Sequence, residues 1–91
     1  MASWDTIGNV GNIRKINDTC WIIDIADNIY DYNDKTKKIK TVWLNCICNY
    51  CPKVKVGDRV IVSGVIDNSS NDDYKIALII KHIGVIPPSG D

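Results

Sequence analysis

Apolar and polar residues alternate with a period of two along most of this chain. Because successive residues of a β-strand point to opposite faces, this alternation predicts strands with one buried and one solvated face. Gly, Asn and Asp interrupt the pattern at short intervals, as they do in turns, and no stretch has convincing helical periodicity. We therefore predict five strands, at Thr6–Ile16, Cys20–Asp27, Thr41–Asn49, Arg59–Asp67 and Tyr74–Val85.

Five such strands in a chain of 91 residues can close into one small barrel, which removes exposed strand edges. Gly8, Gly11 and Gly64 fall within the first and fourth predicted strands, where a barrel strand has to turn a corner. The fold we predict is all-β, a five-stranded barrel of the OB-fold type. We expect a single domain over residues 1–86 and a flexible C-terminal tail over residues 87–91.

The composition excludes some classes of function and leaves others open. Eleven basic and eleven acidic side chains give a formal net charge of zero, so nucleic-acid binding would have to depend on local charge. No apolar run approaches the length of a membrane span, and the N-terminus lacks the features of a signal peptide, so we expect a cytoplasmic protein. With one His and no phosphate-binding loop, the sequence gives no support to an enzyme.

Three of the four cysteines lie close together in "CICNYC", residues 46–51, at a spacing that suggests a metal site. Cys46 and Cys48, however, share the apolar face of the third predicted strand, and a free cysteine behaves as a small hydrophobe. A fourth zinc ligand would have to be Cys20 or His82, which belong to other strands. We therefore favour core thiols over zinc, and expect neither a metal nor a cofactor.

The opposite face of the third strand carries Trp43 and Asn45. An exposed indole can stack on any unpaired base, and the neighbouring amide can donate and accept hydrogen bonds. Basic and aromatic residues precede the strand and others are scattered beyond it, and these could contact phosphates or add stacking surface. The alternatives are that the lysines only solubilise a hairpin tip and that a partner subunit covers the indole. The complete set of predicted nucleic-acid-binding residues is Arg14, Tyr30, Tyr32, Lys35, Lys37, Lys38, Lys40, Trp43, Asn45 and Lys75.

The fourth and fifth predicted strands are apolar on both faces. A lone barrel in water has no need of a second apolar face, so this pattern predicts self-association into a dimer or tetramer. Trp21 alternates with Ile23 and Ile25, which predicts a core or barrel-end position for it. The predicted outward set is Ile61, Val65, Ala77 and Ile79, and the inward set of the fifth strand is Tyr74, Ile76, Leu78 and Ile80.

Several motifs resemble a known family. "IGNVGN" (7–12), "KTVWLNCICNY" (40–50) and "KVGDRVIVSGVI" (55–66) resemble the first, third and fourth strands of bacterial and phage single-stranded DNA-binding proteins. "WIIDIADN" (21–28) and "YKIALIIKHIGVI" (74–86) are similar to their second and fifth strands. The resemblance implies an OB-fold that binds single-stranded DNA without strong sequence preference, in replication, recombination or repair, and that assembles into dimers or tetramers. It also places Trp43 at the position of a base-stacking tryptophan.

The chain departs from that family in several places, including a shorter first hairpin and fewer aromatic residues in the third strand. The family has a helix between the third and fourth strands, where this chain offers only "NYCPKV", so we expect the helix to be reduced or absent. The family's acidic, partner-recruiting C-terminal tip has no counterpart in "IPPSGD". Two functions therefore stay open. One is a non-catalytic protein that coats single-stranded DNA, and the other is an OB-fold protein–protein interaction module such as a replication adaptor or inhibitor.

Overall fold

The structure, a computed structural model, describes residues 2–30, 39–69 and 72–88. All five predicted strands are confirmed, with ends that differ by a few residues; the first begins at Ser3 instead of Thr6 and so includes Trp4. Within the described residues no helix occurs, and the link between the third and fourth strands is irregular. The strands are β1 (Ser3–Asn17), β2 (Cys20–Tyr30), β3 (Ile39–Cys48), β4 (Arg59–Ser69) and β5 (Asp72–Val85).

The strands close into a barrel in the order β1-β2-β3-β5-β4, with β4 returning to β1. β1 pairs with two strands: its first half pairs with β4 and its second half with β2. The parallel contact that closes the ring is short, joining Cys46–Cys48 of β3 to Leu78–Ile80 of β5. This is the five-stranded barrel of the OB-fold, and the predicted fold class is confirmed.

The core is small and draws on all five strands. Burial of each of its aliphatic side chains contributes roughly 1.5–3 kcal/mol. Trp21 packs against the edge of this core, which confirms its predicted place. The fully buried set is Val10, Ile23, Ile25, Cys46, Cys48, Val60, Val62 and Ile80, each at most 2% exposed.

The structure confirms the core-thiol interpretation of Cys46 and Cys48, which are both buried. Burial, with a smaller contribution from the nearby Asp24 charge, raises the pKa of Cys46 to about 12. Burial also raises the pKa of Cys48, whose thiol donates to the Tyr50 carbonyl oxygen at 3.1 Å. Because the thiolate is the metal ligand and the nucleophile, these thiols are poorly suited to either role. In the described part of the chain, no three His, Cys, Asp or Glu side chains are grouped so as to hold a metal ion.

Gly64 marks a corner of the barrel, as its position in the predicted strand suggested. Ser63 pairs with His82 and Gly64 with Ile80, so Lys81 is the extra residue of a bulge in β5. A Cβ on Gly64 would overlap the carbonyl oxygen of Ile79, so the strands can approach this closely only at a glycine. A bulge adds local bend and twist, which is what closure of a five-stranded sheet requires.

One predicted core position is wrong. Ile76 was expected to lie inward with Leu78 and Ile80, but its side chain is 67% exposed. The reason is that β4 and β5 extend as a two-stranded hairpin beyond the point where β5 joins β3 at Leu78. Alternation continues along this hairpin, but no third strand among the described residues pairs with β5 at Ile76. The side chain of Tyr74 lies outside the described residues.

Candidate nucleic-acid interface

The outward side chains of β2 and β3 form four cross-strand pairs, and β1 extends three of them. The pairs follow directly from the register, in which Trp43 lies opposite Ala26 and Asn45 opposite Asp24. Asn9 of β1 continues the row of Ala26 and Trp43, Asn12 continues the row of Asp24, and Arg14 continues the row of Ile22. We call this surface the β2–β3 outer face; it consists of Asn9, Asn12, Arg14, Ile22, Asp24, Ala26, Asn28, Thr41, Trp43, Asn45 and Ile47.

Trp43 is the largest exposed side chain of the β2–β3 outer face. It is 58% exposed, which confirms its predicted outward orientation. Its six-membered ring reaches across β2 to Gly11 of β1, where a Cβ would lie 2.6 Å from the ring atom Cη2. Gly11 is the extra residue at the register shift between Val10 and Asn12. Two small residues, Ala26 and Gly11, therefore let the indole lie along the sheet and leave part of it open to solvent.

Hydrogen-bonded polar pairs flank Trp43 on both sides. Asn45 Nδ2 donates to Asp24 Oδ1 at 2.6 Å, and Thr41 Oγ1 donates to Asn28 Oδ1 at 3.1 Å. Asn45 is exposed, as expected, but part of its donor capacity is already used by Asp24. Sequence reasoning missed this pairing because it depends on the register between β2 and β3.

The remaining predicted site residues divide into three groups. Arg14 is exposed on the outer face, one row from Asp24. Lys40 is exposed too, but it pairs with Ile29 on the other face of β3, so alternation separates it from Trp43. Six predictions lie outside the described residues, either entirely or in their side chains: Tyr30, Tyr32, Lys35, Lys37, Lys38 and Lys75.

The charge of the β2–β3 outer face is balanced. Arg14 contributes one positive charge and Asp24 one negative charge. The single ion pair among the side chains that the structure describes is Lys15–Asp18 at the β1–β2 turn, 3.1 Å long, and Lys15 also lies 5.8 Å from the centroid of Trp21. Neither charge of the outer face is therefore neutralised by a described neighbour. Attraction for a polyanion on this face would be local to Arg14.

A second exposed apolar surface lies on β1, β4 and β5. Ile7 of β1 pairs with Ile61 of β4, which pairs with Gly84 of β5, and the two isoleucines are 44% and 53% exposed. The outward orientation of Ile61 is confirmed, whereas Val65, Ala77 and Ile79 are only partly exposed. We call Ile7, Ile61 and Gly84 the isoleucine strip. An open depression beside it is also lined by Asp5, Tyr50, Ser63 and His82.

Strand order and closure define this chain as an OB-type barrel. Among solved structures it is similar to the protein PriB from Ralstonia solanacearum, with a TM-score of 0.68 over 93% of this chain and 97% of that chain. The two sequences are 5% identical, so the likeness is one of fold. No protein-family model and no curated protein sequence matches the chain. The described residues include no helix long and apolar enough to cross a membrane.

Proposed function

We propose that this chain is a non-catalytic single-stranded DNA-binding protein that acts in replication, recombination or repair. The observation that carries the proposal is Trp43, an indole that is 58% exposed and lies along the β2–β3 outer face. A large exposed aromatic side chain on a soluble barrel needs a reason, and base stacking supplies one. A stacking site needs unpaired bases, so the proposed ligand is single-stranded.

Two further observations support the proposal. In OB-folds the surface of strands 2 and 3 is a common site for oligonucleotides, and Trp43 lies there. The barrel also resembles PriB in fold, and the strand motifs resemble those of single-stranded DNA-binding proteins. The rows beside Trp43 offer hydrogen-bonding groups of the kind that contact base edges.

Magnitudes indicate that Trp43 does not act alone. One stacked base contributes roughly 1–3 kcal/mol, far short of the ~8 kcal/mol of a micromolar complex. Arg14, Lys35, Lys37 and Lys38 are basic groups that could supply phosphate contacts. Several copies bound to one strand would add to this, which is a reason to propose a homo-oligomer, a dimer or tetramer, as the active form.

The proposal is tested by titrating the protein with a single strand of mixed sequence and with the corresponding duplex. We expect the single strand to quench tryptophan fluorescence, because a base stacks directly on the exposed Trp43, while Trp4 and Trp21 are partly buried. The duplex should bind much more weakly and quench little. Equal affinity for both forms would reduce the interaction to generic attraction by lysines and overturn the proposal.

The isoleucine strip favours a second candidate function, that of an OB-fold protein–protein interaction module. Ile7 and Ile61 are aliphatic, adjacent and exposed, which suits a protein partner better than a nucleic acid. Salt separates the two candidates, because binding to DNA weakens steeply as salt rises and an apolar protein contact does not. Self-association through this strip is compatible with DNA binding on the β2–β3 outer face, since Ile7, Ile61 and Gly84 do not belong to that face.

A further inference from the structure

The Asp24–Asn45 pair lies in the row next to Trp43 on the β2–β3 outer face. Asp24 is the diagonal neighbour of Trp43 across β2 and β3, and diagonal neighbours are about 7–8 Å apart, within reach of large side chains. A base stacked on the indole would extend beyond the ring toward the flanking rows. One edge of that base can therefore meet the Asp24–Asn45 pair.

The pair offers mainly hydrogen-bond acceptors. An ionised carboxylate has only acceptor positions, and one amide hydrogen of Asn45 is already given to Asp24 Oδ1 at 2.6 Å. The Asn45 amide oxygen and the remaining carboxylate positions are acceptors as well. Because the hydrogen bond is short and its acceptor is charged, it fixes the orientation of the Asp24 carboxylate.

The charge of Asp24 has a consequence for the path of a bound strand. No cation whose side chain the structure describes forms an ion pair with Asp24; the one ion pair among those side chains is Lys15–Asp18. The Asp24 carboxylate repels phosphate, so the sugar-phosphate backbone would be kept away from this row. What faces the pair is then a base edge, and a base edge that carries hydrogen-bond donors is favoured.

We propose, building on the proposed function, that Asp24, oriented by Asn45, selects bases with an exocyclic amine at the Trp43 stacking position. Cytosine, adenine and guanine present such an amine, and a carboxylate accepting from the N4 amine of cytosine is an established pairing. Thymine and uracil present carbonyl oxygens on both sides of a single N–H, and these oxygens are repelled by a carboxylate. The site therefore stacks on any base but holds amino-bearing bases more tightly.

The test compares homopolymeric single strands of equal length at fixed salt and slightly alkaline pH. Oligo-dC and oligo-dT are the primary pair, since both are pyrimidine strands with little self-stacking. We expect the wild-type protein to bind oligo-dC about five- to tenfold more tightly than oligo-dT, in line with discrimination by one good base contact. Oligo-dC in which the N4 amine carries two methyl groups has neither donor, and should fall to the affinity of oligo-dT.

Two variants make the assignment specific. Asp24→Asn removes the charge, and should abolish the preference while raising affinity for oligo-dT. Asp5→Asn is the matched control, because Asp5 is an exposed strand aspartate that pairs with β4 on the side away from Trp43, and it should keep the preference.

Three results would overturn the inference: equal binding of oligo-dC and oligo-dT by the wild type, an unchanged affinity for the dimethylated strand, or a preference that survives Asp24→Asn. The affinity of the dimethylated strand is measured with the wild-type protein, so this part of the test remains valid even if Asp24→Asn does not fold. Equal binding of all strands with quenching of tryptophan fluorescence would reject the base preference alone. Absence of binding to every strand would reject the proposed function itself.

Discussion

The barrel exposes large apolar side chains on two outer surfaces, and the surroundings of these side chains differ. On the β2–β3 outer face, Trp43 lies between two hydrogen-bonded polar pairs and over small residues. On the isoleucine strip, Ile7 and Ile61 lie side by side, and the third position is a glycine. An aromatic ring framed by hydrogen-bonding groups suits a flat polar ligand such as a base, whereas adjacent aliphatic groups suit another apolar surface.

The largest effect should come from placing a charge on the isoleucine strip. If a second copy covers the strip, Ile61→Asp buries a carboxylate in an apolar contact twice per dimer, which costs several kcal/mol. Sedimentation should then show a single chain of ~10 kDa where the wild type forms a dimer or larger assembly. The control is Thr41→Asp, an exposed strand residue of the other face, which should leave the assembly intact. If the wild-type protein sediments as a single chain at high concentration, the proposed self-association through the isoleucine strip is wrong.

The second-largest effect should come from removing the indole of Trp43. Trp43→Ala should weaken binding to single-stranded DNA by roughly 1–3 kcal/mol, with little change in salt dependence, because stacking releases no counterions. Thermal stability should barely move, since the side chain is 58% exposed. The matched control is Tyr50→Ala, an exposed aromatic beside the isoleucine strip, which should bind as the wild type does. A sharply lowered melting temperature with unchanged DNA affinity would make Trp43 a packing residue.

A smaller effect tests whether the position of the indole matters as well as its presence. In Gly11→Ala the new methyl group overlaps the six-membered ring of Trp43, so the ring must turn away from the sheet. Holding a side chain about 30° away from its preferred rotamer costs roughly 0.5–1.5 kcal/mol, and we expect a loss of DNA affinity of that order.

Gly84→Ala is the same substitution on the other surface. Its Cβ would meet Ile61 Cγ2 at 3.8 Å, an ordinary van der Waals contact, so DNA affinity should not change. Fluorescence titration of both variants with the same oligonucleotide gives the two DNA affinities to be compared. Equal affinities would show that DNA binding does not depend on how the indole lies against β1.

The smallest effect at fixed salt should come from the lysines that precede β3 in the sequence. Replacing Lys37 and Lys38 with Ala should lower the slope of log affinity against log salt by about 0.7 for each phosphate that the protein no longer neutralises. This change should add to that of Trp43→Ala if the two lysines and Trp43 contact different nucleotides. Affinities measured over a range of salt concentrations give the slope. An unaltered slope would leave Arg14 as the basic residue of the outer face and the lysines as solubilising groups.

Much of the candidate site could be predicted from the sequence, because the orientation of its side chains depends only on local alternation along a strand. Trp43 and Asn45 point outward and Cys46 and Cys48 inward because successive strand residues alternate, whatever the neighbouring strands are. Ile76 shows the limit of that argument. Alternation correctly places Ile76 on the same face of β5 as Leu78. Burial also requires other residues to pack over that face, and at Ile76 the β4–β5 hairpin extends beyond the barrel.

The sequence alone determined the strand content, the faces of each strand and the corner at Gly64, since these depend on spacing along the chain and on the size of single residues. Only the tertiary structure placed Asp24 against Asn45, Gly11 under the edge of the Trp43 ring, and Ile7 beside Ile61. Each of these contacts joins strands that are separate in sequence, and each depends on register. A shift of one residue turns every side chain of a strand to its other face, so these neighbours are fixed only when the barrel closes.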